Sequence, residues 1–237
     1  QHPEFDGSQI LLTGTPITDF SFLGMGMSDI YRTKFRAELG IDDNTLVIAH
    51  LATISAALER FGGDSQIEQR TFDLSLSVIR QFADGCKMGG RKVVVVLKTH
   101  PRDPYPESFR RIVDGHCGGS NIEVKFVPAS FTMNEVAYGS DLVMGTLTTE
   151  LFLAPLRGRK AIMLGYSDRG LGGDVLRNIY GEEIMEVISR RPLTSVVSSV
   201  AELFSCLDNF AVSRVNTTGV HQGQNDSARR ILDVILG

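Results

Sequence analysis

Three side chains that donate hydrogen bonds from nitrogen fall within Lys98-Thr99-His100-Pro101-Arg102, directly after the most apolar run of the chain. Ammonium, imidazole and guanidinium groups all donate to phosphate oxygens, the guanidinium in a bidentate fork. Pro101 and Pro104 stop any helix, so the chain must turn outward where the run ends. The plain alternative is a solvated basic turn with His100 folded onto a carbonyl. Position and residue type together favour a ligand.

A second group is Gly145-Thr146-Leu147-Thr148-Thr149-Glu150, which opens an apolar helix expected over residues 149–156. One threonine is enough to cap a helix, and the other hydroxyls and free N–H groups there suit an anion. Glu150 reads equally well as a ligand contact or as a carboxylate complementing the helix dipole. A third turn, Gly14-Thr15-Pro16-Ile17-Thr18-Asp19, follows another apolar run; its Asp19 reads as a turn or cap residue. The loop Ala52-Thr53-Ile54-Ser55 carries a weaker signal. The candidate phosphate-binding residues are therefore Gly14, Lys98, His100, Arg102, Thr146, Thr148, Thr149 and Glu150, and no catalytic residue is singled out.

The elements that would position these loops are short, nearly continuous apolar runs at 10–13, 46–51, 92–97, 123–127, 142–144 and 161–164. Continuous rather than alternating apolar runs mark strands buried on both faces of a parallel sheet. Helical patterns lie between them, at 29–39, 67–83, 108–113, 132–138, 149–156, 200–209 and 227–236. Asp29 stands near the start of the first and Gly40 just past its end, as helix signals require. Steady strand–helix alternation predicts right-handed βαβ units in one doubly wound, mainly parallel sheet with helices on both faces. No repeat or linker divides the chain, so one Rossmann-like domain is expected over residues 9–237. In such sheets ligands sit beyond the carboxyl ends of the strands, where the donor loops fall.

Other chemistries fail on spacing. The sequence has no G-x-x-x-x-G-K-[ST] loop and no G-x-S-x-G elbow, and Gly24-Met25-Gly26 lacks the third glycine of a dinucleotide fingerprint. His2, His50, His100, His116 and His221 have no metal-ligand spacing, and His50, inside an apolar run, reads as a core residue. Cys86, Cys117 and Cys206 form neither a C-x-x-C pair nor an even set, so free thiols, no zinc and a cytoplasmic location are expected. A net charge of -4 argues against holding nucleic acid but not against binding one nucleotide. No apolar run reaches the ~20 residues of a membrane span. The opening Gln1-His2-Pro3-Glu4 suggests a fragment or processed chain, and the first eight residues are set aside.

In their order along the chain these pieces resemble the C-terminal, donor-binding half of a GT-B glycosyltransferase. Leu12-Thr13-Gly14-Thr15-Pro16 with Asp19 is similar to the segment leading into that half, and Phe35-Arg36-Ala37-Glu38-Leu39-Gly40-Ile41 to the one before its first strand. Lys98-Thr99-His100-Pro101-Arg102 resembles the H-P motif of bacterial sialyltransferases and glycerol-phosphate polymerases, whose histidine contacts the nucleotide phosphate. Ser140-Asp141-Leu142-Val143-Met144, running on to Gly158-Arg159-Lys160-Ala161-Ile162, resembles the block holding their phosphate-binding hydroxyl pair, for which Thr148 and Thr149 stand here. Two positions depart from the pattern: Leu153 stands where an acidic residue is frequent, and Ala161 where a proline usually follows.

The resemblance implies a nucleotide-sugar donor linked through CMP, CDP or UDP, and a glycan or lipid-linked acceptor in polysaccharide or glycoconjugate assembly. No cofactor is implied. It also implies a partner N-terminal domain outside this chain, carrying the catalytic group and any peripheral membrane contact. Hydrolysing nucleotide-sugar 2-epimerases share the fold but carry S-G-G in place of Thr146–Thr149, which disfavours them. A glycosyltransferase-like domain kept for binding alone is the non-enzymatic alternative, and Leu153 gives it weight.

Overall fold

The computed structural model of the 237-residue chain describes residues 24–53, 66–85, 92–100, 106–116, 121–146, 148–165, 177, 181–190 and 193–213. Six strands form one sheet: β1 Leu46–Leu51, β2 Val93–Lys98, β3 Ile122–Phe126, β4 Leu142–Gly145, β5 Lys160–Leu164 and β6 Thr194–Val197. Every pairing is parallel and the order is β3-β2-β1-β4-β5-β6. This is the doubly wound, Rossmann-like arrangement, with its order reversing between β1 and β4.

The helices are α1 Ser28–Glu38, α2 Ile67–Gly85, α3 Pro106–His116, α4 Met133–Gly139, α5 Glu150–Leu153, α6 Glu182–Ser189 and α7 Val200–Ser213. Strand residues alternate between two cores. Leu46, Ile48, Val93, Val95, Leu97, Leu142, Met144, Ile162 and Leu164 pack with Phe72, Leu76 and Ile79 of α2, Phe109 of α3 and Leu203 of α7. Val47, Ala49, Val94, Val96, Val143 and Met163 pack with Phe35 of α1, Val136 of α4, Leu151 of α5 and Ile188 of α6. The run after position 92 is thus an interior strand, as its apolar character predicts.

Three expectations change. Residues 149–156 do not form one helix: α5 ends at Leu153 and a 3₁₀ turn, Pro155–Arg157, follows. Pro155 brings no N–H to continue the α ladder, and Gly158 at φ 70° closes the turn in the left-handed region. β6 and α6 are additions. Thr194-Ser195-Val196-Val197 is half polar because it is an edge strand with only Val197 fully buried, so it lacks the continuous apolar signature. The runs at 10–13 and 227–236 lie outside the described residues, as do Cys86 and Cys117; Cys206 is a free thiol. Among the described residues no helix is long and apolar enough to cross a membrane.

Two polar devices set the helices of one face. Arg36, almost wholly buried, donates from Nη2 to Asp141 Oδ2 at 3.0 Å, from Nη1 to the carbonyls of Asp42 (2.9 Å) and Thr45 (3.2 Å), and from Nε to the carbonyl of Gly139 at 3.2 Å. Asp141 also accepts from Arg32 Nη1 at 3.0 Å and from the Val47 N–H at 2.8 Å. Removing one partner of such a pair leaves a buried charge uncompensated, at a cost of about 3–5 kcal/mol. The second device is a capping box at the start of α4, where Thr132 and Glu135 satisfy each other's backbone N–H groups. The Lys34 ammonium, 2.6 Å from Glu135, holds that carboxyl below the usual carboxylate range with help from Thr132, against the burial that pushes it up.

Asp141→Asn is expected to lose about 3–5 kcal/mol in urea denaturation, whereas Arg32→Ala, at the partly accessible end of the same cluster where water can replace the guanidinium, loses less. Because the carboxyl of Glu135 titrates lower in the folded chain than in the unfolded one, its stabilisation is complete above about pH 4.3. It is lost as pH falls through the lower folded value. A pH series of urea midpoints should therefore show the deficit of Glu135→Gln shrinking only on that acid limb.

Candidate functional site

The register of the three central strands brings the donor loops together. Leu51, the last residue of β1, is paired with Lys98 on one side and with Gly145 on the other. Lys98, Leu51 and Gly145 thus end their strands flush, and two inter-strand spacings of ~4.8 Å put Lys98 and Gly145 about 10 Å apart across the sheet. The Ala52 N–H donates to the Lys98 carbonyl at 3.0 Å, extending the ladder one residue into the loop. Glycine is required at 145: a Cβ there would lie 2.5 Å from the Leu51 carbonyl oxygen. Strand order reverses between β1 and β4, and in open α/β sheets the place beyond such a reversal is where ligands are received.

On the β2 side, Lys98 is half-buried and its Nζ reaches the Pro128 carbonyl at 3.4 Å. Burial pushes its ammonium below the usual lysine range, opposed by the field of Glu135. His100 lies two residues further on and is partly buried. Arg102 and Gly14 fall outside the described residues.

On the β4 side, Thr146 is buried and Thr149 exposed. The Glu150 N–H donates to Thr148 Oγ1 at 3.4 Å, while Thr149, the residue before α5, makes no capping bond with its side chain. One threonine thus caps and another keeps its hydroxyl for other use. Glu150 is engaged from below: buried Arg157 donates from Nη1 to its Oε2 at 2.6 Å.

Between these loops lies a group that the spacing of motifs does not reveal. Thr146 Oγ1 is 2.5 Å from Glu68 Oε2 and 3.3 Å from Thr53 Oγ1, and Glu68 Oε1 is 3.5 Å from His50 Nε2. Glu68 is the second residue of α2 and reads in sequence as a dipole-complementing acid. Its distinguishing signal is its place on the apolar stripe, in phase with Phe72, Ser75, Leu76 and Ile79. Thr53 belongs to the loop of weaker signal. Among the described residues no three His, Cys, Asp or Glu side chains are placed to hold a metal ion.

No family model matches the chain, and no curated protein matches it in sequence. Solved structures match its fold. UDP-GlcNAc 2-epimerase from Methanocaldococcus jannaschii aligns at 13% identity with a TM-score of 0.61, over 98% of this chain and 57% of that one. UDP-GlcNAc 2-epimerase from Neisseria meningitidis, bound to UDP-GlcNAc, aligns at 12% identity with a TM-score of 0.55, over 98% and 56%. A variant of the wall teichoic acid polymerase TagF aligns at 16% identity with a TM-score of 0.52, over 98% and 53%. The likeness is one of fold. The chain spans little more than half the length of each of these proteins.

Lys98→Met keeps the stem packed and removes a partly desolvated charge. A lysine whose folded value is depressed costs stability below that value, and the cost vanishes as pH rises past the unfolded value of about 10.4. The thermal midpoint of Lys98→Met is therefore expected to exceed that of the parent at pH 7, with the gain fading in alkaline buffer.

Proposed function

We propose that the chain is the nucleotide-sugar donor-binding domain of a glycosyltransferase of polysaccharide or glycoconjugate assembly, and that the nucleotide phosphates bind in the crevice between β1 and β4. One observation carries the reading: the ends of β2, β1 and β4 are flush, so Lys98 and the Thr146–Glu150 loop flank a single position. That position is where an open α/β sheet receives ligands. His100 and Arg102 extend the basic side, and the hydroxyl of Thr149, which makes no capping bond, supports the other.

In transfer from a nucleotide sugar, the bond from the anomeric carbon to the phosphate oxygen breaks as the acceptor hydroxyl attacks. Negative charge then grows on the departing phosphate. Donors fixed beforehand around that oxygen lower the barrier because they need not reorganise as charge develops. Lys98, His100 and Arg102 supply charged donors, and Thr148 and Thr149 supply hydroxyls. Arg157 takes one oxygen of Glu150 and leaves Oε1 for a ribose or sugar hydroxyl. The acceptor and the group that removes its proton belong, in this reading, to a partner N-terminal domain.

Hydrolysis and epimerisation of a UDP-sugar is the second reading, favoured by the fold likeness to two 2-epimerases and opposed by Thr146–Thr149 in place of S-G-G. Both readings require a nucleotide in the same crevice, and they separate on product: free nucleotide with a glycosylated acceptor, or free nucleotide with an epimerised sugar.

Charge-assisted hydrogen bonds to phosphate are worth roughly 1.5–3 kcal/mol each. His100→Ala or Arg102→Ala should then weaken nucleotide binding about tenfold or more, at ~1.4 kcal/mol per decade. Thr148→Val and Thr149→Val should act likewise, and Lys125→Ala, on edge strand β3, should change nothing. Calorimetric titration with UDP, CDP, CMP and GDP reads out base preference. Absence of binding by all four at millimolar concentration overturns the donor-site reading.

A further inference from the structure

Burying a carboxylate and an imidazole together is an expensive way to fill a core. Apolar side chains of the same volume serve equally well or better. Yet Glu68 and His50 are both wholly inaccessible to solvent. His50 points from β1 toward α2, its ring edge-on to Phe72 at a centroid distance of 4.7 Å, and among the described residues neither ring nitrogen makes a hydrogen bond. Among the described residues Glu68 Oε1 also lacks one, and lies 3.5 Å from His50 Nε2. Among the described residues, the one hydrogen bond to this carboxylate comes from Thr146, at 2.5 Å. The cluster lies at the carboxyl ends of β1 and β4, joined through Thr53 to the loop after β1 and through Thr146 to the loop after β4.

A hydroxyl has one hydrogen to give. Thr146 gives it to the carboxylate and cannot also give it to Thr53 Oγ1, 3.3 Å away. Thr146 then has only lone pairs left and cannot donate to a phosphate. That task passes to Thr148 and Thr149, whose placement depends on where Thr146 is held.

We propose that Glu68 is a positioning residue for the nucleotide site: by holding Thr146 it sets the loop between β4 and α5 in the shape that receives a phosphate. The role in binding rests on the nucleotide reading above; the hold on the loop does not.

The test uses the full chain with Glu68→Leu, Glu68→Gln, Thr146→Val and the double variant Glu68→Leu/Thr146→Val. Glutamine keeps a carbonyl that accepts from Thr146. In a first arm without nucleotide, amide hydrogen exchange is followed at residues 145–150. Glu68→Leu and Thr146→Val should each speed exchange there by about tenfold, as loss of one hydrogen bond allows in a locally opening segment, while β2 is unchanged and Glu68→Gln restores protection. In a second arm, UDP and CDP affinities should fall about tenfold in each single variant and no further in the double, since residues acting through one bond are not additive. Parental exchange in Glu68→Leu, failure of Glu68→Gln to rescue, or additive losses would each overturn the proposal. If Glu68→Leu does not fold, Thr146→Val carries both arms, with Glu68→Gln silent in its background as the expected result. A loop that loosens and is rescued, in a chain that binds neither nucleotide, overturns the nucleotide reading and leaves the hold of Glu68 on the loop standing.

Discussion

The ion pair between Arg36 and Asp141 is the constraint on which the sheet depends. Strands such as Val-Val-Val-Val in β2 have little to tell one register from the next, because each residue resembles its neighbour. Asp141 removes that ambiguity at the centre. Its carboxylate takes the Val47 N–H and the Arg36 guanidinium, and its own N–H goes to the Val47 carbonyl. β4 can therefore join β1 only with Leu142 opposite Ile48. A slip of one residue would strand a desolvated charge, which costs more than a parallel pair of apolar residues returns. Arg36 also ties down the carbonyls of Asp42, Thr45 and Gly139, so the same side chain docks α1 and the turn into β1.

The seam between β1 and β4 is thus closed differently at its two ends. The amino end is locked by paired charges that use up their donors. At the carboxyl end Gly145 lets the strands approach, and a carboxylate, an imidazole and two hydroxyls follow. The polar groups at the carboxyl end stand where open α/β sheets receive ligands.

Much of this was legible in the residues. Continuous apolar runs gave β1, β2, β4 and β5 within a residue or two of their places, because burial on both faces leaves an unmistakable composition; β3 was placed as closely, although it is an edge strand with only Ile122 fully buried. β6 escaped because an edge strand needs little apolar character, and α6 because no strand was recognised on its far side. The loops after β2 and β4 were found by residue type; that Lys98 and Gly145 share Leu51 as a neighbour follows from strand order, which a linear pattern does not contain. Glu68 and His50 were hidden for opposite reasons. An acid in a first helical turn has an ordinary explanation, and a histidine in a strand reads as core. Arg36 and Asp141 lie 105 positions apart and show as a pair only once folded. The segments that resemble the GT-B pattern contain both, so part of that resemblance marks scaffold rather than chemistry.

Strand order also governs assembly. β1, β2 and β3 are contiguous in sequence and can pair as soon as residue 126 is available, but one edge of β1 then waits for β4, and Asp141 must arrive before Arg36 has its carboxylate partner. Every residue of β1 is buried in the finished molecule. Until β4 arrives, the most central strand of the sheet is an open, apolar edge with unpaired N–H and C=O groups, a template for pairing with another chain. Parallel pairing across such separations is intrinsically slow. The interval between synthesis of residue 126 and capture of residues 142–145 is therefore the stage at which this chain is most exposed to self-association, and at which a chaperone would have most to cover.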